Sequence, residues 1–261
     1  MPENQIVIIG AGNVATNLAF ALKKHLTDNI HIHSRTEKSA KQLAEKLHCP
    51  HSFKIENIPE EADLYIISIR DDAIRKMSES KVLKEKIDNN LVVHTAGSMP
   101  ANILKPLSEN FGVFYPLQTF SKNKILDFKN IPICIEASSG FNFGKLLKYA
   151  SQISNDVRNI NSEQRKYIHL AAVFANNFTN RMTGIAEEIL KEQNIDFDIL
   201  LPLLQETFDK IKKENPNKIQ TGPAVRNDTK VLEIHLNLLE NKPDLQKIYS
   251  FVSKNISEKA H

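Results

Sequence analysis

The sequence has little that would tie it to a membrane, a metal ion or a nucleic acid. Its 34 Lys and Arg against 31 Asp and Glu leave a formal charge of only +3. A balance that small argues against a broad nucleic-acid or anionic-lipid surface, although a local basic pocket stays possible. No stretch approaches the roughly 18 consecutive apolar residues of a membrane helix. The start, MPENQIVIIGAGN, carries no basic segment and no small-residue cleavage site, so no secretory leader is expected. There are two cysteines, Cys49 and Cys134, far apart and with no second metal-type ligand set beside them. They read as free thiols of a reducing cytoplasm, with no metal site. Internal repeats, low-complexity tracts and long flexible linkers are also lacking.

What is present is a rhythm of short β-rich runs and helical stretches. Ile6–Ile9 reads as a buried strand by its branched residues. Val14, Leu18, Ala21, Leu22 and Leu26 then repeat with helical spacing. Residues 30–33, 63–69 and 91–94 predict further strands, with shorter ones at 113–114, 131–135 and 157–160. Thr36 is placed to cap a helix carrying Leu43 and Leu47, and another helix is expected over 141–154. This alternation predicts an α/β Rossmann domain, a doubly wound parallel sheet over residues 1–160. From Ser162 the strand signals stop. A long helix is expected, broadly buried, with Ala171, Phe174, Phe178, Met182, Ile185 and Ile189 along it. Helices at 196–213, 227–240 and 244–257 would complete an all-α domain over residues 161–261.

The most specific local feature is Gly10-Ala11-Gly12-Asn13-Val14-Ala15, between the first strand and the first helix. Gly10 permits the tight turn, Gly12 lets the backbone approach a pyrophosphate, and Ala15 allows close helix packing. The helix N-terminus offers free N–H groups to the phosphates. NAD enzymes commonly place Asp or Glu at the end of the second strand. Here that place carries His33-Ser34-Arg35-Thr36, with Lys38 nearby and no carboxylate to repel a 2′-phosphate. Arg35 can contact the phosphate and stack on adenine, and Ser34 and Thr36 can hydrogen-bond it. NADP(H) is therefore the expected cofactor; the alternative for Arg35 is a solvated residue at a helix start.

Three further loops should gather at the carboxyl ends of the strands. Ser68-Ile69-Arg70-Asp71-Asp72 would line the nicotinamide half, with Asp71 better explained as a helix cap than as a catalyst. In His94-Thr95-Ala96-Gly97-Ser98, His94 could transfer a proton, or be a strand-end histidine. Thr95 and Ser98 could hold a carboxylate or carbonyl. Tyr115–Phe120 brings Gln118 and Thr119 on a proline-stiffened segment that either floors a substrate pocket or only connects strands. The long helix carries His169, Asn176 and Asn180 on one stripe, with Asn177 beside it. In Gln220–Asp228, Arg226 could bind an anionic substrate, while Asp228 either fixes that Arg or caps the next helix.

Taken in order, GAGNVA, HTAGS, YPLQTF, HLAAVFANNFTN and QTGPAVRND resemble a family of bacterial proteins that pair a Rossmann-like domain with a helical domain. Its members carry the label NADP oxidoreductase, sometimes coenzyme-deazaflavin dependent. In architecture the family is similar to pyrroline-5-carboxylate reductase and to the 6-phosphogluconate and β-hydroxyacid dehydrogenases. The resemblance implies a homodimer and a cleft lined by His94, Ser98, Gln118, His169, Asn177, Arg226 and Asp228. One departure stands out. The β-hydroxyacid dehydrogenases carry a catalytic Lys four residues before a helix Asn; if that Asn is Asn177, Val173 stands in its place. The expected activity is hydride transfer from NADPH to a small carbonyl or imine, anionic or neutral, with His94 or His169 as proton donor. The alternative is a non-catalytic NADP(H) sensor or partner-binding protein.

Overall fold

A computed structural model describes residues 4–60 and 62–260. Four strands are apolar enough to be buried on both faces, and they form the centre of the sheet. These are β1 (Ile6–Ile9), β2 (Ile30–His33), β4 (Leu64–Ile67) and β5 (Leu91–His94), buried at every position. Near-continuous apolar runs of this kind mark a parallel sheet covered by helices. The remaining strands are β3 (His51–Ser52), β6 (Phe111–Pro116), β7 (Ile133–Ala137) and β8 (Val157–Asn159). The sheet order is β3-β2-β1-β4-β5-β6-β7-β8.

Successive side chains of β1 serve opposite layers. Ile6 and Ile8 pack with Leu18, Leu22, Leu43 and Leu146, from α1 (Asn13–His25), α2 (Glu37–Leu47) and α5 (Gly140–Ile153). Val7 and Ile9 pack with Ile74, Leu83 and Ile87, from α3 (Asp71–Ser78) and α4 (Lys81–Ile87). At roughly 1.5–3 kcal/mol per fully buried aliphatic side chain, these two layers supply the main stabilisation of the sheet.

The sheet departs from the expected all-parallel form at one pairing. β6 and β7 are antiparallel, with Phe114 opposite Ile135. Residues 117–132 contain only a short 3-10 turn, Phe128–Asn130, and no crossover helix. An antiparallel neighbour needs none, whereas a parallel one does. β6 is also longer than its two strongly apolar residues predicted, because it runs on to Tyr115 and Pro116. Strand β3 and helix α4 were not foreseen, being too short to carry a period.

After Asn159 the described residues form no further strand. Helix α6 (Ser162–Ala172) opens with a capping box between Asn161 and Gln164. Residues Val173–Phe178 wind as a π-helix, so the uninterrupted α-helix expected here is broken. There follow α7 (Thr179–Glu192), α8 (Leu201–Ile211), α9 (Thr229–Leu238) and α10 (Pro243–Ala260). The chain forms two compact units, one reaching Phe178 and the other starting at Thr179. The broad burial expected for the long helix is absent within this chain: Phe174 is 61% exposed, and Phe178, Met182 and Ile189 are exposed as well.

Candidate active site

The strand order reverses direction at β1, which lies between β2 and β4; ligands of open α/β sheets bind at such a switch point. Here the carboxyl ends of β1, β2, β4, β5 and β6 surround a cavity of about 1260 Å³. The glycine loop forms one wall. Gly10 adopts φ +130°, and a Cβ there would sit 2.1 Å from the Ser68 carbonyl oxygen. Its N–H donates to the His33 carbonyl at 2.7 Å, which ties the turn to β2. Gly12 is the N-cap of α1 and differs in kind: a Cβ there would meet no protein atom within 4 Å. Asn13 and Val14 open the helix along the cavity, and Ala15 is buried beneath it. The first turn of α1 has neither a side-chain cap nor an acidic residue. Its N–H groups are thus available to an anion, and the open space over Gly12 is where a pyrophosphate fits. Gly12→Ala is therefore expected to leave the melting temperature within about 2 °C and to weaken NADPH binding about 100-fold, whereas Gly10→Ala lowers the melting temperature itself, since steric and φ strain cost at least 1–3 kcal/mol. Calorimetric titration and thermal melting separate the two.

At the end of β2, Ser34 and Arg35 line the cavity. Arg35 is exposed and forms no ion pair among the described residues. The Thr36 hydroxyl caps α2, accepting from Ser39 N–H at 3.4 Å and donating to Ser39 Oγ at 2.9 Å. Its capping role is thus filled, which leaves Arg35 and Ser34 as the groups free to meet a ligand.

The far end is polar and more crowded. The Thr95 hydroxyl donates to Ser68 Oγ at 3.0 Å, joining the ends of β5 and β4. Arg70 is the N-cap of α3 and forms a two-pronged pair with Asp72, at 3.1 and 3.0 Å. Asp71 is therefore not the helix cap; its carboxylate accepts a hydrogen bond from Ser98 instead. Gln118 lines the cavity, and its side-chain oxygen accepts from Thr119 N–H at 2.8 Å. Asn17, fully buried on α1, holds this segment: it donates to Ser121 O at 2.8 Å and accepts from Leu126 N–H at 3.0 Å.

Tyr115 and His169 meet at this end, the hydroxyl 3.2 Å from Nδ1 and the rings edge to face. Both line the cavity. Gly97 makes this approach possible, because a Cβ on it would lie 2.6 Å from His169 Nδ1. Burial pushes the Tyr115 phenol above its usual range, so it stays protonated at neutral pH. Tyr115 escaped the sequence reading, which looked to Gln118 and Thr119; only its place at the end of a strand could have signalled it.

His94 is placed otherwise. It is fully buried under the 95–101 segment. Its Nδ1 accepts from Ala96 N–H at 3.1 Å, which leaves Nε2–H to donate to the Pro100 carbonyl at 3.2 Å. Burial and the nearby Arg165 charge hold its pKa down at about 4, so the ring is neutral and both nitrogens are engaged. It does not line the cavity. Arg165 itself is fully buried. It donates to Glu136 Oε2 at 2.6 Å and to the Met99 carbonyl at 2.6 Å, while Ser162 also donates to Glu136, at 2.7 Å. This network fixes α6 against β7 and sets His169 one helical turn further along.

Of the other expected site residues, Asn177 lies in the π-helical segment and is exposed. Arg226 and Asp228 belong to the second unit. Asp228 caps α9 by accepting from Val231 N–H at 3.3 Å, and Arg226 is exposed without an ion pair among the described residues.

Comparison with known proteins divides the chain elsewhere than at 178/179. Residues 1–113 match the shikimate / quinate 5-dehydrogenase model, and residues 131–256 match a domain of unknown function, DUF2520. The crystal structure of a "putative NADP oxidoreductase" from Bacteroides fragilis is 44% identical over 98% of both chains, with a TM-score of 0.91. This chain belongs to the same family. A Thermotoga maritima protein of 24% identity, covering 98% of both chains, superposes with a TM-score of 0.71. An imine reductase from Myxococcus stipitatus in complex with NADP+ shares the fold at 14% identity, over 97% of this chain and 92% of its own, with a TM-score of 0.70. No curated protein matches.

Proposed function

We propose that this family member is an NADP(H)-dependent reductase of a small carbonyl or imine compound. The observation that carries the reading is a single cavity with an open helix N-terminus and Arg35 at one end and the Tyr115–His169 pair at the other. Gly10, Gly12, Asn13, Val14 and Ala15 would cradle the pyrophosphate. Arg35 and Ser34 would select the 2′-phosphate, with Thr36 holding the start of α2 beside them through its cap, and Ser68 and Arg70 would border the nicotinamide half. The dihydronicotinamide, when bound, supplies the hydride. The protein supplies the proton. For a carbonyl substrate, Tyr115 O–H gives its proton to the forming alkoxide, and His169, 3.2 Å from the hydroxyl, is placed to relay a proton from solvent back to the phenolate. An imine that enters already protonated needs no such donor, which suits a helix carrying Val173 where a Lys would stand. Gln118 and Ser98 would contact the substrate. Asn177, Arg226 and Asp228 stay in the reading as substrate-side residues, with Arg226 as the anion anchor.

The likeness in fold to an imine reductase bound to NADP+ and the family tie to the Bacteroides fragilis protein support this assignment. The second unit leaves Leu203, Leu238 and Phe251 exposed at 64, 77 and 75%, which supports a homodimer. Two free cysteines suit a reducing cytoplasm. A second reading, cofactor binding without turnover, draws on the missing Lys.

Calorimetric titration with NADPH and then NADH is the test, followed by NADPH consumption on a panel of imines and carbonyls. Tight NADPH binding with turnover supports the reductase; binding without turnover favours the second reading. No binding of either would turn attention to a deazaflavin coenzyme. Arg35→Ala is expected to weaken NADPH binding by 10- to 100-fold, about 1.4–2.8 kcal/mol of charge-assisted contact, and to leave NADH unchanged.

A further inference from the structure

His33, the last residue of β2, opens the segment His33–Thr36 that stands where an NAD-type site carries its carboxylate. Its carbonyl holds the Gly10 turn, while its ring does something separate. The residue is only 3% exposed, yet it lines the cavity. Nδ1 lies 3.1 Å from Ser52 Oγ, and the same oxygen lies 2.9 Å from Nε2 of His31, two residues back on the same face of β2. Nε2 of His33 has no hydrogen-bond partner among the described residues, and it is not among their fully enclosed unpartnered atoms, so it remains reachable from the cavity.

One hydroxyl carries one proton. Ser52 can therefore donate to one imidazole while it accepts from the other. His31 is kept neutral, its pKa lowered to about 4 by burial, then by His33 and His51. A neutral His31 can accept at Nε2. If Ser52 turns to donate there, its oxygen is free to accept from His33 Nδ1–H, and His33 can carry a second proton on Nε2. Protonation of His33 thus leaves every partner satisfied. Burial holds His33 below its ordinary range, and Glu56 in the 55–57 turn pulls the other way. His31 and His51 flank the ring, His31 as a neutral imidazole, and Arg35 follows two residues on. A phosphate dianion in this corner would tip that balance.

We propose that His33 reads the ribose 2′-phosphate together with Arg35, as a cation that takes up its proton when the phosphate binds. The proposal rests on the NADP(H) reading of the cavity. It makes His31 and Ser52 positioning residues whose task is to accept the rearranged hydrogen bond.

The proton makes the affinity pH-dependent with a defined sign. The pKa of His33 is low in the free protein and raised in the complex, so NADPH binding is strongest at low pH and weakens as pH rises between the two values. Above about pH 7 the phosphate is already a dianion and adds no slope of its own. Above about pH 7 the NADPH dissociation constant should rise with pH, at most about tenfold per pH unit for one proton, and that of NADH should stay flat. Titrating the full chain in two buffers of different ionisation heat should show proton uptake with NADPH and none with NADH. His33→Gln should remove the slope and the uptake; Ser52→Ala should reduce both. Wild-type NADPH binding without proton uptake overturns the proposal and leaves the cofactor reading standing, and so does a His33→Gln protein that keeps the slope. The wild-type buffer comparison decides the matter even where His33→Gln does not fold. Failure of the folded wild type to bind NADPH at all overturns both.

Discussion

Arg165→Ala should cost about 3–5 kcal/mol of stability, the usual penalty for leaving a buried charge without its partner. The Arg165 side chain is wholly buried, and the Glu136 carboxylate that it meets is mostly so. Removing the guanidinium strips Glu136 of its positively charged partner and leaves only the Ser162 hydroxyl bonded to its carboxylate among the described residues. The Met99 carbonyl loses a donor as well. For a unit of this size the melting temperature should fall by roughly 6–20 °C in scanning calorimetry. The pair is not optimised for stability, because Arg165 Nε is buried with no partner among the described residues. Arg165→Met with Glu136→Leu, which removes both charges, is accordingly expected to recover most of the loss. A single-mutant cost under about 1 kcal/mol would show that the network only orients α6. The turnover readout is separate: His169 lies four residues on, on the same face, so kcat should fall in Arg165→Ala even below its melting point.

Tyr115→Phe should lower kcat for carbonyl reduction by roughly 10²- to 10⁴-fold, the range that a positioned proton donor contributes. The substitution removes one oxygen and keeps the ring that meets His169 edge to face. NADPH affinity should stay within about twofold, since Tyr115 lies at the end of the cavity away from Arg35. For imines that arrive protonated the loss should be small. The ratio of the two effects, measured with matched substrates at saturating NADPH, separates a proton donor from a residue that merely shapes the pocket. Equal losses on both substrate classes would assign Tyr115 to positioning. A raised phenol pKa keeps the acid form populated through neutral pH, so no decline in rate from tyrosine ionisation is expected there.

Much of the sheet could be read from the chain because its strands are buried on both faces and therefore uniformly apolar. Ile6–Ile9, Ile30–His33 and Leu91–His94 fall where β-branched runs predicted them. The glycine loop was legible for a similar reason. Gly10 meets a positive-φ turn that few other residues satisfy, and that demand is local. Of the two readings the sequence left open for Asp228, the helix cap is the one seen, and it spans only three residues.

The sequence could not show which polar groups meet. His94 and His169 look alike along the chain, each a histidine in a promising segment. Tertiary packing gives one of them to the backbone of Ala96 and Pro100 and brings the other onto Tyr115, 54 residues away. Gly97 matters only because His169 folds against it. Ser52, in a two-residue strand without any periodic signal, links two histidines through one hydroxyl. By itself the sequence determined the strand–helix alternation, the phosphate loop and the absence of a carboxylate after β2, because each depends on residues adjacent in the chain. Only the tertiary structure decided the Tyr115–His169 contact, the antiparallel β6–β7 edge and the buried Arg165 network, because each joins segments far apart in sequence and its energy depends on burial rather than on composition.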